Sequence, residues 1–414
     1  MSITVAMYSH DSVGLGHARR NRALAYALAA DLPRVTGQGV RGLLIAGHPD
    51  ATKDALPHGW DWLVLPGFTR TSDGYASRKL SMSVERLTGL RSATVAAALE
   101  SVCPDLFIVD RHPFGIGGEL KPALEMLRRR RTTTVLGMRE VLDTPEEAAA
   151  EWARAGVGAV ASAYDALWVY GDPQVYDPLT TGEIPEELAG RTRFTGYLSH
   201  GRPDDPVGPE SLRADHPYLL TMVGGGSDGG AVGLAAARAR VPDGHRHIIL
   251  TGPQMPAEDH RSIAAAVQAS GSDTDGDGPV TQVHRYAPHV PKLVRDAAAV
   301  VCMAGYNSLA EVMATTTPAL VVPRNTRRAE QPRRAAALAA ADAVDMLTAD
   351  QLTPEALTAW FATASGRRSL RDGVDLDGLT RIGDLAAAEL GAASRRPPLT
   401  RNGRTHPEVL THVR

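Results

Sequence analysis

One unit recurs along this chain: a short apolar run, a turn of glycines and other small residues, then a helical pattern. It occurs at Ile3 to Tyr8 with Gly14 and Gly16, at Tyr218 to Val223 with residues 224–230, and at Ala299 to Cys302 with Ala304 and Gly305. A strand that hands over to a helix in this way belongs in a parallel sheet, because a crossover helix returns the chain to begin the next parallel strand. Runs at Leu43 to Ala46, Trp62 to Leu65, Leu106 to Val109, Thr133 to Leu136, Ala166 to Val169, His247 to Leu250 and Ala319 to Val322 continue the series. Helical stretches at Ala18 to Ala30, Ser92 to Glu100, 231–240 and Arg261 to Ala269 lie between them. Such short apolar runs read as strands buried on both faces.

Residues 199–217 interrupt the alternation with a polar, Pro/Gly-rich segment that reads as a linker. The expected architecture is therefore α/β, with two doubly wound, Rossmann-like parallel-sheet domains at 1–200 and 217–390 and a polar, Arg/Pro-rich tail at 391–414. With 414 residues, 43% hydrophobic and 22% charged, the chain has enough apolar mass for two cores and is neither disordered nor fibrous. Arg outnumbers Lys forty to four, which reads as bacterial coding bias rather than chemistry. A net charge of -3 gives no footing for nucleic acid, and two cysteines, Cys103 and Cys302, exclude a disulfide framework or a cysteine zinc site. No segment approaches the ~18 apolar residues of a membrane helix and no export signal opens the chain. The expected location is cytoplasmic, with peripheral contact at the inner face of a membrane left open.

The turns carry the candidate chemistry. The first holds Gly14, Gly16 and His17, and lacks the third glycine of a dinucleotide fingerprint because Arg19 stands there. His17, in the first helical turn, is placed to act as a base or to bond an anion, against the plainer reading of a capping or core histidine. Asp110, which ends the Leu106 to Val109 strand, is a second candidate base, or else an ion-pair partner of Arg111. The second turn has five glycines in seven residues, 224–230, with Ser227; its backbone N–H groups and the helix that follows suit a phosphate. It has no Lys-Ser/Thr ending, so it is not a Walker loop. In the third turn Asn307 or Ser308 is expected to cap the following helix, and Glu311 sits one turn in, where a carboxylate reaches vicinal hydroxyls. Glu330 and Gln331 precede another helical run and read as hydroxyl-recognising groups. Asp273, Asp275 and Asp277 mimic a calcium loop, but the twelfth position is His284, so no metal is assigned.

Gly224 to Gly230, Ala304 to Glu311, and Pro318 to Arg324 followed by Glu330-Gln331 resemble, in this order, the family 28 glycosyltransferases, which include a peptidoglycan N-acetylglucosaminyltransferase. The stretches Tyr8 to Asn21 and Asp110 to Leu120 resemble a less-characterised bacterial branch, and the likeness extends from about Ile3 to Leu338. The resemblance implies a GT-B fold, with two halves facing a cleft, and metal-independent, inverting transfer of a hexose such as N-acetylglucosamine. It implies a UDP-sugar as co-substrate, no other cofactor, and a hydroxyl acceptor on a lipid-linked sugar or a natural product. It implies donor contacts at Gly16, Gly225, Gly226, Ser227, Gly305, Asn307 and Ser308. Glu311 would hold the ribose, Glu330 and Gln331 the sugar, and backbone near Val290 the uracil. UDP-sugar 2-epimerases, UDP-sugar hydrolases and non-catalytic UDP-sugar binders share the donor half and stay open. Leu80, Met82, Val84 and Leu87, with Arg78, Lys79 and Arg86, read as an amphipathic helix that either packs on the sheet or meets a lipid surface.

Overall fold

The computed structural model describes residues 2–11, 14–71, 74–203, 216–269, 274–275, 278–324 and 328–394. The first half runs β1 (Ser2–Tyr8), α1 (Gly16–Thr36), β2 (Gly39–Ala46), β3 (Trp60–Val64), β4 (Phe68–Thr71), β5 (Gly74–Ser77), α2 (Val84–Val102), β6 (Leu106–Asp110), α3 (Lys121–Arg130), β7 (Thr133–Arg139), α4 (Pro145–Ala155), α5 (Val157–Ala163), β8 (Ala166–Tyr170) and β9 (Thr192–Phe194). Seven of these strands form one parallel sheet in the order β3-β2-β1-β6-β7-β8-β9. The central strands are buried on both faces, as their apolar runs require; every residue of β6 and β8 is buried.

The second half runs β10 (Tyr218–Met222), α6 (Gly230–Arg238), β11 (Arg246–Leu250), α7 (Ala257–Ala269), β12 (Thr274–Asp275), β13 (Gly278–Pro279), β14 (Thr281–His284), α8 (Val290–Asp296), β15 (Ala299–Cys302), α9 (Tyr306–Met313), β16 (Ala319–Val321), α10 (Glu330–Ala340), β17 (Asp345–Met346), α11 (Pro354–Ala364) and α12 (Gly378–Ser394). Its parallel sheet has six strands in the order β14-β11-β10-β15-β16-β17. In each sheet the order reverses beside the first strand, between β1 and β6 and between β10 and β15. Ligands of doubly wound folds bind at such reversals, outside the carboxyl ends of the strands.

Several local expectations need correction. The helix expected from Ser92 begins at Val84, because the Ser83 side chain caps it by accepting from the Arg86 N–H at 3.3 Å. Leu80 and Met82 lie outside that helix. Leu80 is exposed whereas Leu87 is fully buried against Phe68 and Ile116, so Leu80, Met82, Val84 and Leu87 do not share one helical face. The β4–β5 hairpin has no counterpart in the expected series. The helical run expected to follow Glu330 and Gln331 includes both, starting at Glu330.

The last helix, α12, crosses back to the first half and packs on α1, where a side chain on Gly383 would strike Asp31 at 2.6 Å. The outgoing and returning crossovers run side by side: the Tyr197 N–H donates to the Asp375 carbonyl at 2.8 Å and the Gly378 N–H to the Tyr197 carbonyl at 3.0 Å. Within the expected linker, residues 204–215 lie outside the described residues, as do 395–414 of the expected tail. Among the described residues no helix is long and apolar enough to cross a membrane.

Candidate functional site

At the first reversal point His17 and Asp110 meet. His17 Nδ1 lies 2.5 Å from Asp110 Oδ2, and Asp110 is completely buried at the end of β6. Arg20, one turn further along α1, grips the same carboxylate through Nε at 3.1 Å and a terminal nitrogen at 2.6 Å. Burial alone would push the Asp110 carboxyl up; Arg20 and His17 outweigh it and hold it well below the usual carboxylate range. Arg20 lies over the rings of Tyr170 in the first half and Tyr306 in the second, at 5.8 and 5.4 Å. Arg111 is not the partner of Asp110; it pairs with Glu151 at 2.5 Å.

Backbone strain marks this reversal point. Asp11 and Arg111, which follow β1 and β6, adopt φ values of 42° and 70° without being glycine. Asp11 is buried, and its carboxyl accepts from the Ala18 N–H at 3.1 Å, the Gly47 N–H at 3.2 Å and the Ser9 hydroxyl at 2.5 Å. An internal acid thus already occupies the N-terminus of α1. His10 lies between His17 and His112, with ring centroids 4.6 and 4.4 Å away. Burial lowers His10 and His112 well below the ordinary histidine range.

The second reversal point is built differently. Gly226, at φ 94°, leaves no room for a side chain: a Cβ would lie 2.1 Å from the Thr251 carbonyl. The loops after β10 and β11 therefore interlock, and the Gln254 N–H donates to the Gly225 carbonyl at 2.8 Å. Gly225 and Ser227 remain exposed. Neither Gly229 of α6 nor Leu15 of α1 makes a side-chain cap bond, but α1 has a carboxylate, Asp11, accepting from an N–H of its first turn. Neither Asn307 nor Ser308 caps α9, correcting the expectation; Gly305 is the N-cap and makes no side-chain cap bond. Asn307 reaches across to the other half instead, donating to the Gly16 carbonyl at 2.7 Å. The structure thus joins the first and third turns directly. Ser308 Oγ faces the loop after β10, 3.7 Å from the position a Gly224 Cβ would take.

Sequence reasoning missed Arg202 in the polar linker. Its guanidinium donates to Asn307 Oδ1 at 3.1 Å and lies 3.8 Å from the Glu311 carboxylate. Val290 is the first residue of α8, after His289 in a left-handed conformation. Glu330 and Gln331, read as hydroxyl contacts, are buried and engaged by arginine. Glu330 pairs with Arg139 of the first half at 2.5 Å and with Arg324 at 2.9 Å, and Gln331 accepts from the Arg324 N–H at 3.2 Å. Arg324 also holds Asp228 of the glycine loop at 3.1 Å. Burial pushes the Glu330 carboxyl up, but Arg139, Arg334 and Arg324 bring it down to about 2. Such long-range pairs leave no local trace in a sequence. Asp273 and Asp277 of the acidic loop lie outside the described residues.

Residues 222–363 match the glycosyltransferase family 28 C-terminal domain, a span that includes the second and third turns, at 224–230 and 304–311. No curated protein matches the chain significantly. Among solved structures, MurG of Acinetobacter baumannii aligns over 94% of this chain and 100% of its own, with 14% identity and a TM-score of 0.54. The glycosyltransferase VinC, solved in complex with dTDP, aligns over 95% and 100% with 15% identity and a TM-score of 0.57. A Listeria monocytogenes structure assigned as a UDP-N-acetylglucosamine 2-epimerase aligns over 96% and 99% with 11% identity and a TM-score of 0.58. At these identities the likeness concerns the fold: the chain has the GT-B architecture over its described length.

Proposed function

We propose that the chain is an inverting, metal-independent glycosyltransferase that moves a hexose, N-acetylglucosamine first among the candidates, from a UDP-sugar to a hydroxyl acceptor. The observation that carries the reading is the His17–Asp110 pair of the first half, held by the Asn307–Gly16 bond beside the open helix ends of the second. The family 28 domain at 222–363 supports sugar transfer from a nucleotide sugar.

The roles follow from exposure. Asp110 has no surface and two basic partners, so it has no path to an acceptor hydroxyl; in this reading it is a positioning residue. His17 is part-exposed and, with Nδ1 on Asp110, turns Nε2 toward the acceptor as the base. The acceptor oxygen forms a bond to the anomeric carbon as the bond from that carbon to the phosphate oxygen breaks. The hydroxyl proton goes to His17 Nε2 and the electron pair leaves with the diphosphate. Attack from the face opposite the leaving group inverts the centre. Backbone N–H groups of Gly225 and Ser227 and the uncapped α6 end offset the developing charge without a metal, the Gly226 N–H being held by the Val223 carbonyl at 3.2 Å. Glu311 takes the ribose hydroxyls, Gln331 and Glu330 the sugar, and backbone at Val290 the base.

The epimerase reading rests on the likeness to the Listeria structure and needs no acceptor. Calorimetric titration with UDP, dTDP, UDP-N-acetylglucosamine and UDP-glucose, each with and without EDTA, is the first test. Binding of a nucleotide sugar that survives EDTA supports the donor site; no binding of any of the four sinks the proposal. Incubation with donor alone then separates the classes, since a changed sugar marks an epimerase.

A further inference from the structure

Arg139 is surplus to the charge that it neutralises. Glu330 already has an arginine from its own half, Arg324, donating to Oε1 at 2.9 Å. Arg139 comes from the opposite half, at the end of β7, and lies 2.5 Å from Oε2. Yet the geometry leaves both ends of this second pair underused. Among the described residues, Arg139 Nε is buried with no hydrogen-bond acceptor, and Glu330 Oε2 receives no well-formed hydrogen bond. The Nε atoms of Arg111 and Arg324 along the same seam are likewise buried without an acceptor. Buried polar groups of native proteins are normally satisfied, so orphaned guanidinium donors point to an acceptor that arrives from outside. Burial lowers Arg139 to about 10, which leaves it charged at neutral pH.

We infer that Arg139 exchanges partners when a nucleoside-diphosphate sugar enters, leaving Glu330 to the sugar hydroxyls and donating to an oxygen of the leaving diphosphate. The inference rests on the glycosyltransferase reading and adds a catalytic residue from the half opposite the donor. A ligand carrying hydroxyls beside phosphates suits the exchange, because the hydroxyls satisfy the carboxylate and the phosphate satisfies the guanidinium. As the bond between the anomeric carbon and the phosphate oxygen breaks, that oxygen keeps the electron pair and the Arg139 N–H groups face the charge it gains. The acceptor's proton goes to His17, and nothing else enters the balance. Since Arg139 stands across the cleft, it serves the leaving group only while the halves are closed.

The test uses the full chain and a nucleotide sugar that it turns over. Replacing Arg139 by Gln lowers kcat by roughly a hundredfold, the order seen when one preorganised donor to a developing oxyanion is removed, with donor KM changed far less. Binding of the nucleoside diphosphate, UDP or dTDP, weakens at least about tenfold in R139Q while binding of the matching nucleoside is unchanged. A kcat within about twofold of wild type, or equal weakening of nucleoside and nucleoside diphosphate, overturns the inference. If R139Q does not melt like the wild type, R139K is judged by the same comparison of diphosphate against nucleoside. A wild-type chain that binds and turns over no nucleotide sugar removes the transferase reading and this inference together. Turnover that R139Q matches removes only the inference.

Discussion

Arg334 of the second half grips Glu140 of the first through Nε at 2.7 Å and a terminal nitrogen at 3.2 Å, with both side chains almost wholly buried. The same guanidinium donates to the Ala304 carbonyl at 3.1 Å, at the start of the third turn. The pair therefore sets where the third turn, in the second half, stands relative to β7. Flanking contacts repeat the polarity: Asp143 and Glu151 meet Arg328, and Glu183 meets Arg333.

Removing one member leaves the other charge buried and unmatched. Replacement of Glu140 by Gln is expected to cost about 3–5 kcal/mol, read from chemical denaturation of the full chain. A loss below about 1 kcal/mol means that solvent reaches Arg334 and that the seam is looser than described.

Replacement of His17 by Ala is expected to lower kcat by roughly a hundred- to ten-thousandfold with little change in donor KM, because a positioned base acts only as the proton moves. Steady-state kinetics at saturating donor decide the matter. Full turnover by this variant assigns the base elsewhere.

Glu311 has a different signature. Its carboxylate faces Arg202 at 3.8 Å and is only part-exposed. If it holds the ribose, replacement by Ala raises donor KM roughly ten- to a hundredfold, the worth of hydrogen bonds to a charged group, while kcat stays near wild type. An unchanged KM removes Glu311 from the donor site.

Stability should fall on mild acidification. Burial lowers His10, His112 and His247, the last to about 3. They stay neutral when folded but protonate in the unfolded chain below about pH 6.5, so the unfolded state binds more protons there. Each contributes a loss of up to about 1.4 kcal/mol per pH unit below that point, ending as pH reaches its own lowered value. Denaturation from about pH 7.5 down to about pH 5 checks the sign. His247→Gln should flatten the slope, and a flat wild-type curve refutes the assignment.

Much of this was legible because strands in parallel sheets announce themselves. Their apolar runs, each ending at a turn, located both sheets and set His17 and Asp110 just beyond strand ends, while the pairing of β1 with β6 that joins the two is seen only in the fold. The β4–β5 hairpin carries an Asp73-Gly74 turn signal in its sequence, although Gly74 itself belongs to β5 and pairs with Thr71. Other features have no local signature. Nothing in residues 378–394 says that they cover the opposite half. Arg334 and Glu140 stand 194 positions apart, so only the fold reveals that either is buried. The neighbourhood of Asn307 is that of a helix start and suggests a cap, whereas its partner, Gly16, is 291 positions away.

Two halves with matching strand order suggest two equivalent nucleotide pockets, and Asp11 breaks that equivalence. Its carboxyl accepts from the Ala18 N–H inside the first half, whereas the carboxylates near the α6 end, Asp228 held by Arg324 and Asp259 beside Gly230, make no side-chain cap there. A diphosphate entering the wrong way round meets acidic oxygens where it needs N–H donors. Under the proposed transfer, this single buried side chain would give a pseudo-symmetric cleft its polarity, with one end for the nucleotide and the other kept for what receives the sugar.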